Sequence, residues 1–179
     1  MNVTVYCASS FGHDPAFAEE ARALGAWIGA NGHTLIYGGT NVGLMGLIAG
    51  TALDAGGHVI GVLPDILADR EPPSGRLSEF FRVETMAQRK AKMIELGEVF
   101  VAMPGGPGTL EELSEIMSLV KLGTAPGYLY LLNVNGYYDE LIASFERMLE
   151  HGFMTPEMRA YLKVAHSADE LVRMFETRE

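Results

Sequence analysis

The residues best suited to chemistry lie in one short stretch, Met103-Pro104-Gly105-Gly106-Pro107-Gly108-Thr109-Leu110-Glu111-Glu112-Leu113. An apolar run from Val99 leads into it, and Leu113, Ile116, Met117 and Val120 follow at helical spacing. A strand therefore meets a glycine-rich turn that opens a helix. The first N–H groups of a helix have no intrahelical partner, and the aligned peptide dipoles add partial positive charge there. Glycines let an anion approach such amides without meeting a Cβ. The expected ligand is a phosphate, with the Glu112 carboxylate in the first helical turn at the edge of the same site. A second reading stands beside this one. Thr109-x-x-Glu112 also spells a capping box, in which both side chains satisfy backbone donors and do no chemistry. A capped helix start can still bind an anion.

Two further clusters bear on that site. Gln88-Arg89-Lys90-Ala91-Lys92-Met93 concentrates positive charge in an otherwise acidic chain. It reads either as a solvated helix face or as a source of one inward cation, Arg89, whose planar fork can grip two oxygens. Gly38-Gly39-Thr40-Asn41-Val42-Gly43-Leu44-Met45-Gly46 is a second glycine-rich turn. It lacks the G-x-G-x-x-G of a dinucleotide fold, and Leu44-Met45 stand where a phosphate-binding P-loop needs Lys and Ser/Thr. What remains is an anion-tolerant turn with a tightly packed helix behind it. Cys7 reads as a buried strand residue. The five histidines have no ligand spacing, so no metal site is expected.

These residues need a scaffold, and the chain is long enough for one. Its 179 residues, 48% of them hydrophobic and 20% charged, suit a single soluble domain spanning 1–179. Thirteen basic against twenty-three acidic residues give a net charge of −10, which argues against nucleic-acid binding. A lone cysteine suits a reducing, cytoplasmic setting. No signal peptide and no membrane span are read. Strands are expected at 2–8, 34–37, 59–63, 81–84, 99–103 and 128–134. Helices are expected at about 15–30, from the Gly38–Gly46 turn to 55, at 86–96, at Glu112, and at 137–150, 156–162 and 168–176. The segment 64–79, with Pro72-Pro73 and Gly75, is expected to be an irregular, mobile loop. Uniformly apolar strands alternating with helices predict an α/β, Rossmann-like three-layer fold with a mostly parallel sheet. Ligands in such sheets sit beyond the carboxyl ends of the strands, so the Ser9–Gly12, Gly38–Gly46 and Gly105–Thr109 loops should gather on one edge.

Pro104-Gly105-Gly106-x-Gly108-Thr109-x-x-Glu112, with Arg89-Lys90 upstream and Tyr37-Gly38-Gly39-x-x-x-Gly43-Leu44-Met45-Gly46 before that, resembles the LONELY GUY (LOG) family. Its members are cytokinin riboside 5′-monophosphate phosphoribohydrolases, many once labelled "lysine decarboxylase-like". The resemblance covers residues 3–149. It implies a homodimer or larger assembly and hydrolysis of the N-glycosidic bond of a purine nucleoside 5′-monophosphate without a cofactor. The family's catalytic residues fall on Arg89 and Glu112, and its phosphate-binding turn falls on Gly105, Gly106, Gly108 and Thr109. Ser9, Gly39, Thr40, Met86 and Lys90 complete the expected substrate-binding set. The chain departs from the family's habit at Ala87-Gln88 (for His-Glu), at Thr40 (for Gly) and at Pro107 (for an aromatic residue). The alternative to an enzyme is a nucleotide-binding or carrier protein of the same fold.

Overall fold

The computed structural model describes residues 1–68, 73, 75–124 and 127–177. Seven strands form one sheet: β1 (Asn2–Tyr6), β2 (Thr34–Tyr37), β3 (His58–Pro64), β4 (Glu79–Val83), β5 (Val99–Ala102), β6 (Tyr128–Leu132) and β7 (Leu162–Ala165). Their order is β4-β3-β2-β1-β5-β6-β7, and every pairing is parallel. The helices are α1 (Pro15–Ala30), α2 (Gly43–Asp54), α3 (Asp65–Ala68), α4 (Met86–Leu96), α5 (Pro107–Lys121), α6 (Asp139–Glu150), α7 (Pro156–Tyr161) and α8 (Ala168–Thr177).

Side chains alternate across the sheet and build two cores. Val3, Val5, Leu35, Tyr37, Val99 and Val101 face α1, α2 and α8, and pack on Leu24, Ile28, Ile48 and Leu171. Tyr6, Ile36, Phe100 and Ala102 face the other way onto Met93 of α4, Leu113 and Ile116 of α5, and Phe145 of α6. Both faces of the central strands are thus buried, which is why they read as continuous apolar runs. The three-layer Rossmann-like expectation holds.

Three elements differ from expectation. β7 is not evident from the sequence, because Leu162-Lys163-Val164-Ala165 is four residues long and too short to show a period. Residues 65–68 form one helical turn, pinned to β4 by the Arg82–Asp65 ion pair. The rest of the loop expected at 64–79 is described only at Pro73 and 75–79; residues 69–72 and 74 lie outside the described residues. Finally, α5 begins at Pro107, earlier than a Thr109 cap requires. Proline at the first helical position has its φ already set and no N–H to leave unpaired, so the helix starts there. Gly106 is the N-cap, with no side-chain cap bond. The Thr109–Glu112 capping box is therefore not formed. Glu112 lies in the second turn and not the first.

Strand order reverses between β1 and β5. Loops that follow these two strands leave in opposite directions and open a crevice at the carboxyl edge of the sheet.

Candidate active site

The crevice is a cleft of about 330 Å³. Its walls come from the β1–α1 loop (Ser9, Ser10), the residue that follows β2 (Gly38), the first turns of α4 (Met86, Arg89, Lys90) and the start of α5 (Gly106, Pro107, Gly108, Thr109, Glu111, Glu112). Chain segments far apart in sequence meet here, as the topology dictates.

Arg89 is held by α4. Thr85 caps that helix in a true capping box: Gln88 N–H donates to Thr85 Oγ1 at 3.2 Å, and Gln88 Oε1 accepts from Thr85 N–H at 3.3 Å and from Glu84 N–H at 2.8 Å. Glutamine can fill the third position of such a box as glutamate does. The Gln88 departure is thus accommodated locally. One residue on, Arg89 turns inward and is only 6% exposed. Its Nε donates to Val62 O and its Nη2 to Gly38 O, both at 3.2 Å. A Cβ on residue 38 would lie 1.9 Å from Nη2, so glycine there makes room for the guanidinium. Nη1 is left facing Glu112 Oε1 at 3.9 Å.

Glu112 is 9% exposed. Burial strips water from its carboxylate and pushes its pKa up from 4.5 to about 7; the Arg89 charge pulls the other way, and Glu111 and Glu115 add to the rise. A buried, charge-partnered carboxyl with a pKa near neutrality is what acid–base and electrostatic catalysis needs. Lys90 pairs with Glu111 at 2.8 Å and Glu115 at 2.9 Å, and these partners raise its pKa.

The two glycine-rich turns differ sharply. At α2 the helix start is occupied: Leu44 N–H donates to Ser10 O and Met45 N–H to Ala8 O, both at 3.3 Å. Gly43, at φ +55°, packs so closely that a Cβ would lie 2.3 Å from Ser9 and Ser10 backbone atoms. This turn serves packing. At α5, Gly106 caps the helix without a side-chain bond, Pro107 offers no N–H, and Gly108 and Thr109 carry the next amides at the cleft wall.

Of the residues named from sequence, Arg89, Glu112, Ser9, Met86, Lys90, Gly106, Gly108 and Thr109 line this cleft together. Gly39 and Thr40 do not. Gly39 is seated against Val62 and Leu63 of β3, and the buried Thr40 hydroxyl meets Met45 Sδ at 3.8 Å. Gly105 lines an adjoining hollow with Phe11, Phe17, Leu44 and Tyr137. Two tyrosines absent from the sequence-based set hold the turn. Tyr138 Oη donates to Met103 O and Tyr137 Oη to Gly105 O, each at 2.7 Å. Their only signal is a paired aromatic after β6, which reads as packing. Among the described residues no acidic, histidine or cysteine cluster could hold a metal, and no helix is long and apolar enough to cross a membrane.

Fold and site define a parallel α/β protein of the Rossmann-like kind, with a buried Arg–Glu pair beside a glycine-capped helix start. Residues 45–175 match the family described as "Possible lysine decarboxylase". The chain is 40% identical over 174 residues to cytokinin riboside 5′-monophosphate phosphoribohydrolase LOG1 of Arabidopsis thaliana, covering 97% of this chain and 82% of that protein. It is likewise 40% identical over 177 residues to LOG7 of the same plant, covering 99% and 82%. Among solved structures it resembles the molybdenum cofactor binding protein of the bacterium Rippkaea orientalis (TM-score 0.74, 22% identity, 99% of this chain and 94% of that one). The Moco carrier protein of Chlamydomonas reinhardtii is similar (TM-score 0.72, 21% identity, 98% and 95%). These structural likenesses establish the fold. The sequence relatives establish the family: the chain belongs to the LONELY GUY (LOG) family.

Proposed function

We propose that this protein hydrolyses the N-glycosidic bond of a purine nucleoside 5′-monophosphate, with N6-substituted adenine as the base, releasing free base and ribose 5-phosphate. The observation that carries the proposal is the pairing of Arg89 with Glu112, both nearly buried, in the cleft that the α5 N-terminus opens onto. Named activities of the 40%-identical relatives support the same reaction.

The anionic end of the nucleotide docks on the amides of Gly106, Gly108 and Thr109, where the helix dipole favours negative charge. Glu112, in the second turn of the same helix, then faces the sugar. As the bond from C1′ to the base nitrogen breaks, its electron pair leaves with the base and positive charge builds on the ribose. An ionised Glu112 stabilises that charge and accepts a proton from the attacking water, whose oxygen ends on C1′; that proton ends on the nitrogen of the departing base, which restores the carboxylate. Arg89 has Nε and Nη2 committed to main-chain carbonyls, which favours a fixed role at the reaction centre over a mobile grip on phosphate. Its remaining Nη1 faces Glu112 and keeps that carboxyl partly ionised near neutral pH. Amino-acid decarboxylation through a lysine Schiff base fits poorly. Lys90, the lysine of the cleft, is held as an ammonium by two glutamates, whereas imine formation needs the neutral amine. We further place the protein in a reducing cytoplasm and as a homodimer, in keeping with its single cysteine and its family.

Incubation with AMP, N6-prenylated AMP and the matching nucleosides, with chromatographic detection of free base, tests the proposal. Base should appear from the monophosphates and not from the nucleosides. Tight AMP binding with no base released would make the protein a binding module instead.

A further inference from the structure

We infer that Tyr137 is a positioning residue that aims the Gly106 amide into the phosphate end of the cleft; this rests on the proposed docking of phosphate at the start of α5. The argument starts from the peptide unit joining Gly105 to Gly106. A trans peptide is planar, and its C=O and N–H point in opposite directions. Fixing the Gly105 carbonyl therefore fixes the Gly106 N–H. Tyr137 Oη holds that carbonyl at 2.7 Å. Tyr137 lines the adjoining hollow beside Gly105 and does not line the cleft, whereas Gly106 lines both. With the carbonyl drawn toward the tyrosine, the amide is turned to the opposite side, where the anion docks.

This peptide lies between two glycines, and the Tyr137 hydroxyl is the side-chain group that holds its carbonyl. Neither residue flanking it carries a Cβ, so rotating the plane meets little steric resistance. A rotated plane would present the Gly105 carbonyl to the phosphate and replace attraction with repulsion. Pro107 makes the arrangement more demanding. It removes one amide from the helix start, so a larger share of the anion's hydrogen bonding falls on Gly106, Gly108 and Thr109.

The tyrosine is itself well placed to restrain. Its ring packs edge-on against Phe17 at 5.3 Å and against Tyr138 at 4.8 Å between centroids. The chain just before it is fixed by Asn135, in the left-handed region at φ +50°, whose Nδ2 donates to Asp14 Oδ2 at 2.9 Å. Buried Asn133 accepts from Tyr138 N–H at 2.7 Å and donates to Asp139 Oδ1 at 2.7 Å. Ring position is thus set by packing and by the turn. Removing only the hydroxyl should leave the ring in place and free the peptide.

The experiment compares wild-type protein with Tyr137→Phe in calorimetric titration with ribose 5-phosphate, and in initial-rate assays on AMP with adenine as a product inhibitor. A hydrogen bond to a charged group is worth roughly ten- to hundredfold in affinity, so Tyr137→Phe should weaken ribose 5-phosphate binding and raise KM by about that factor. The adenine inhibition constant and kcat should stay within about twofold, and Tm within about 4 °C, since the ring packing survives. Unchanged affinity for ribose 5-phosphate in Tyr137→Phe would overturn the role given to Tyr137 alone. Equal losses for adenine and ribose 5-phosphate would overturn it too, by showing a general structural effect. Wild-type protein that does not bind ribose 5-phosphate at all would overturn both this inference and the docking of phosphate on which it rests.

Discussion

Replacing Glu112 with glutamine should sharply reduce activity and stabilise the protein, and the two effects have one cause. Folding carries the Glu112 carboxyl into a site that raises its pKa from 4.5 to about 7, chiefly by burial. At about 1.4 kcal/mol per pKa unit, keeping the charged form in the folded state costs about 3 kcal/mol, net of the Arg89 attraction. Below pH 4.5 the carboxyl is protonated in folded and unfolded chains alike, and this cost is absent. Between pH 4.5 and about 7 the unfolded chain has released its proton while the folded chain retains it, so stability falls as pH rises. Above about pH 7 the full cost is present. A glutamine side chain at this position never ionises. Glu112→Gln should therefore match the wild type near pH 4 and exceed it at pH 8 by up to about 3 kcal/mol, or roughly 6–12 °C in Tm for a chain of this size. At pH 8 its kcat for AMP should fall about 10²- to 10³-fold, the usual loss for one well-placed electrostatic group. Calorimetric Tm at pH 4 and pH 8, with base-release rates at pH 8, gives both numbers. A variant no more stable than wild type at pH 8, or one that keeps its turnover, would refute the picture of a strained catalytic carboxylate.

Three other outcomes follow from the same geometry. In the wild type, kcat/KM for AMP should rise about tenfold per pH unit below pH 7 and level off above it, as Glu112 ionises. Arg89→Met removes the charge that holds the Glu112 pKa down, so the same profile should shift to higher pH as its maximum falls; an unmoved acid limb would separate the two side chains. Gly43→Ala and Gly106→Ala should fail in opposite ways. The first forces a Cβ to 2.3 Å from Ser9 and Ser10 at positive φ and should cost about 2–4 kcal/mol in chemical denaturation. The second has open space around its Cβ and an ordinary φ of −91°, so it should keep its stability and lose affinity for ribose 5-phosphate.

Much of the fold is legible in the sequence because the central strands are buried on both faces. Runs such as Val99-Phe100-Val101-Ala102 announce themselves as parallel-sheet strands, and Asp14-Pro15 marks the start of α1 as a cap and first-turn pair. The Arg89–Glu112 partnership is readable only through family resemblance. No periodicity reveals that two residues on separate helices meet end to end across a sheet edge. The Thr109–Glu112 box misleads for a definite reason. A capping signature is a local pattern, and Pro107, equally local, outcompetes it by starting the helix earlier. Thr85-x-x-Gln88 forms the real box, and its glutamine makes it the less conspicuous of the two. Tyr137 and Tyr138 could not be found, since a phenol that bonds a carbonyl more than thirty residues away leaves no trace in its own neighbourhood.

The division of labour between the two glycine-rich turns bears on how the proposed docking of a phosphate would work in a protein of net charge −10. If both helix starts were open, the cleft would offer two anion sites at one rim and no fixed direction for the substrate. Instead the α2 amides are taken up by the carbonyls of Ala8 and Ser10, which welds the loops after β1 and β2 into one rigid wall. Of the two glycine-rich turns, the α5 start is the one that lines the cleft with its glycine N-cap and next amides, and the same helix carries Glu112 in its second turn. On the proposed docking, the distance from anion to carboxylate is set by the pitch of a single helix. Arg89 reaches that helix from α4, clamped to the carbonyls of Val62 in β3 and of Gly38 just after β2. On that docking, substrate orientation depends on backbone geometry more than on surface charge. The net charge of −10 is no obstacle, because the positive end that matters is a helix terminus facing inward.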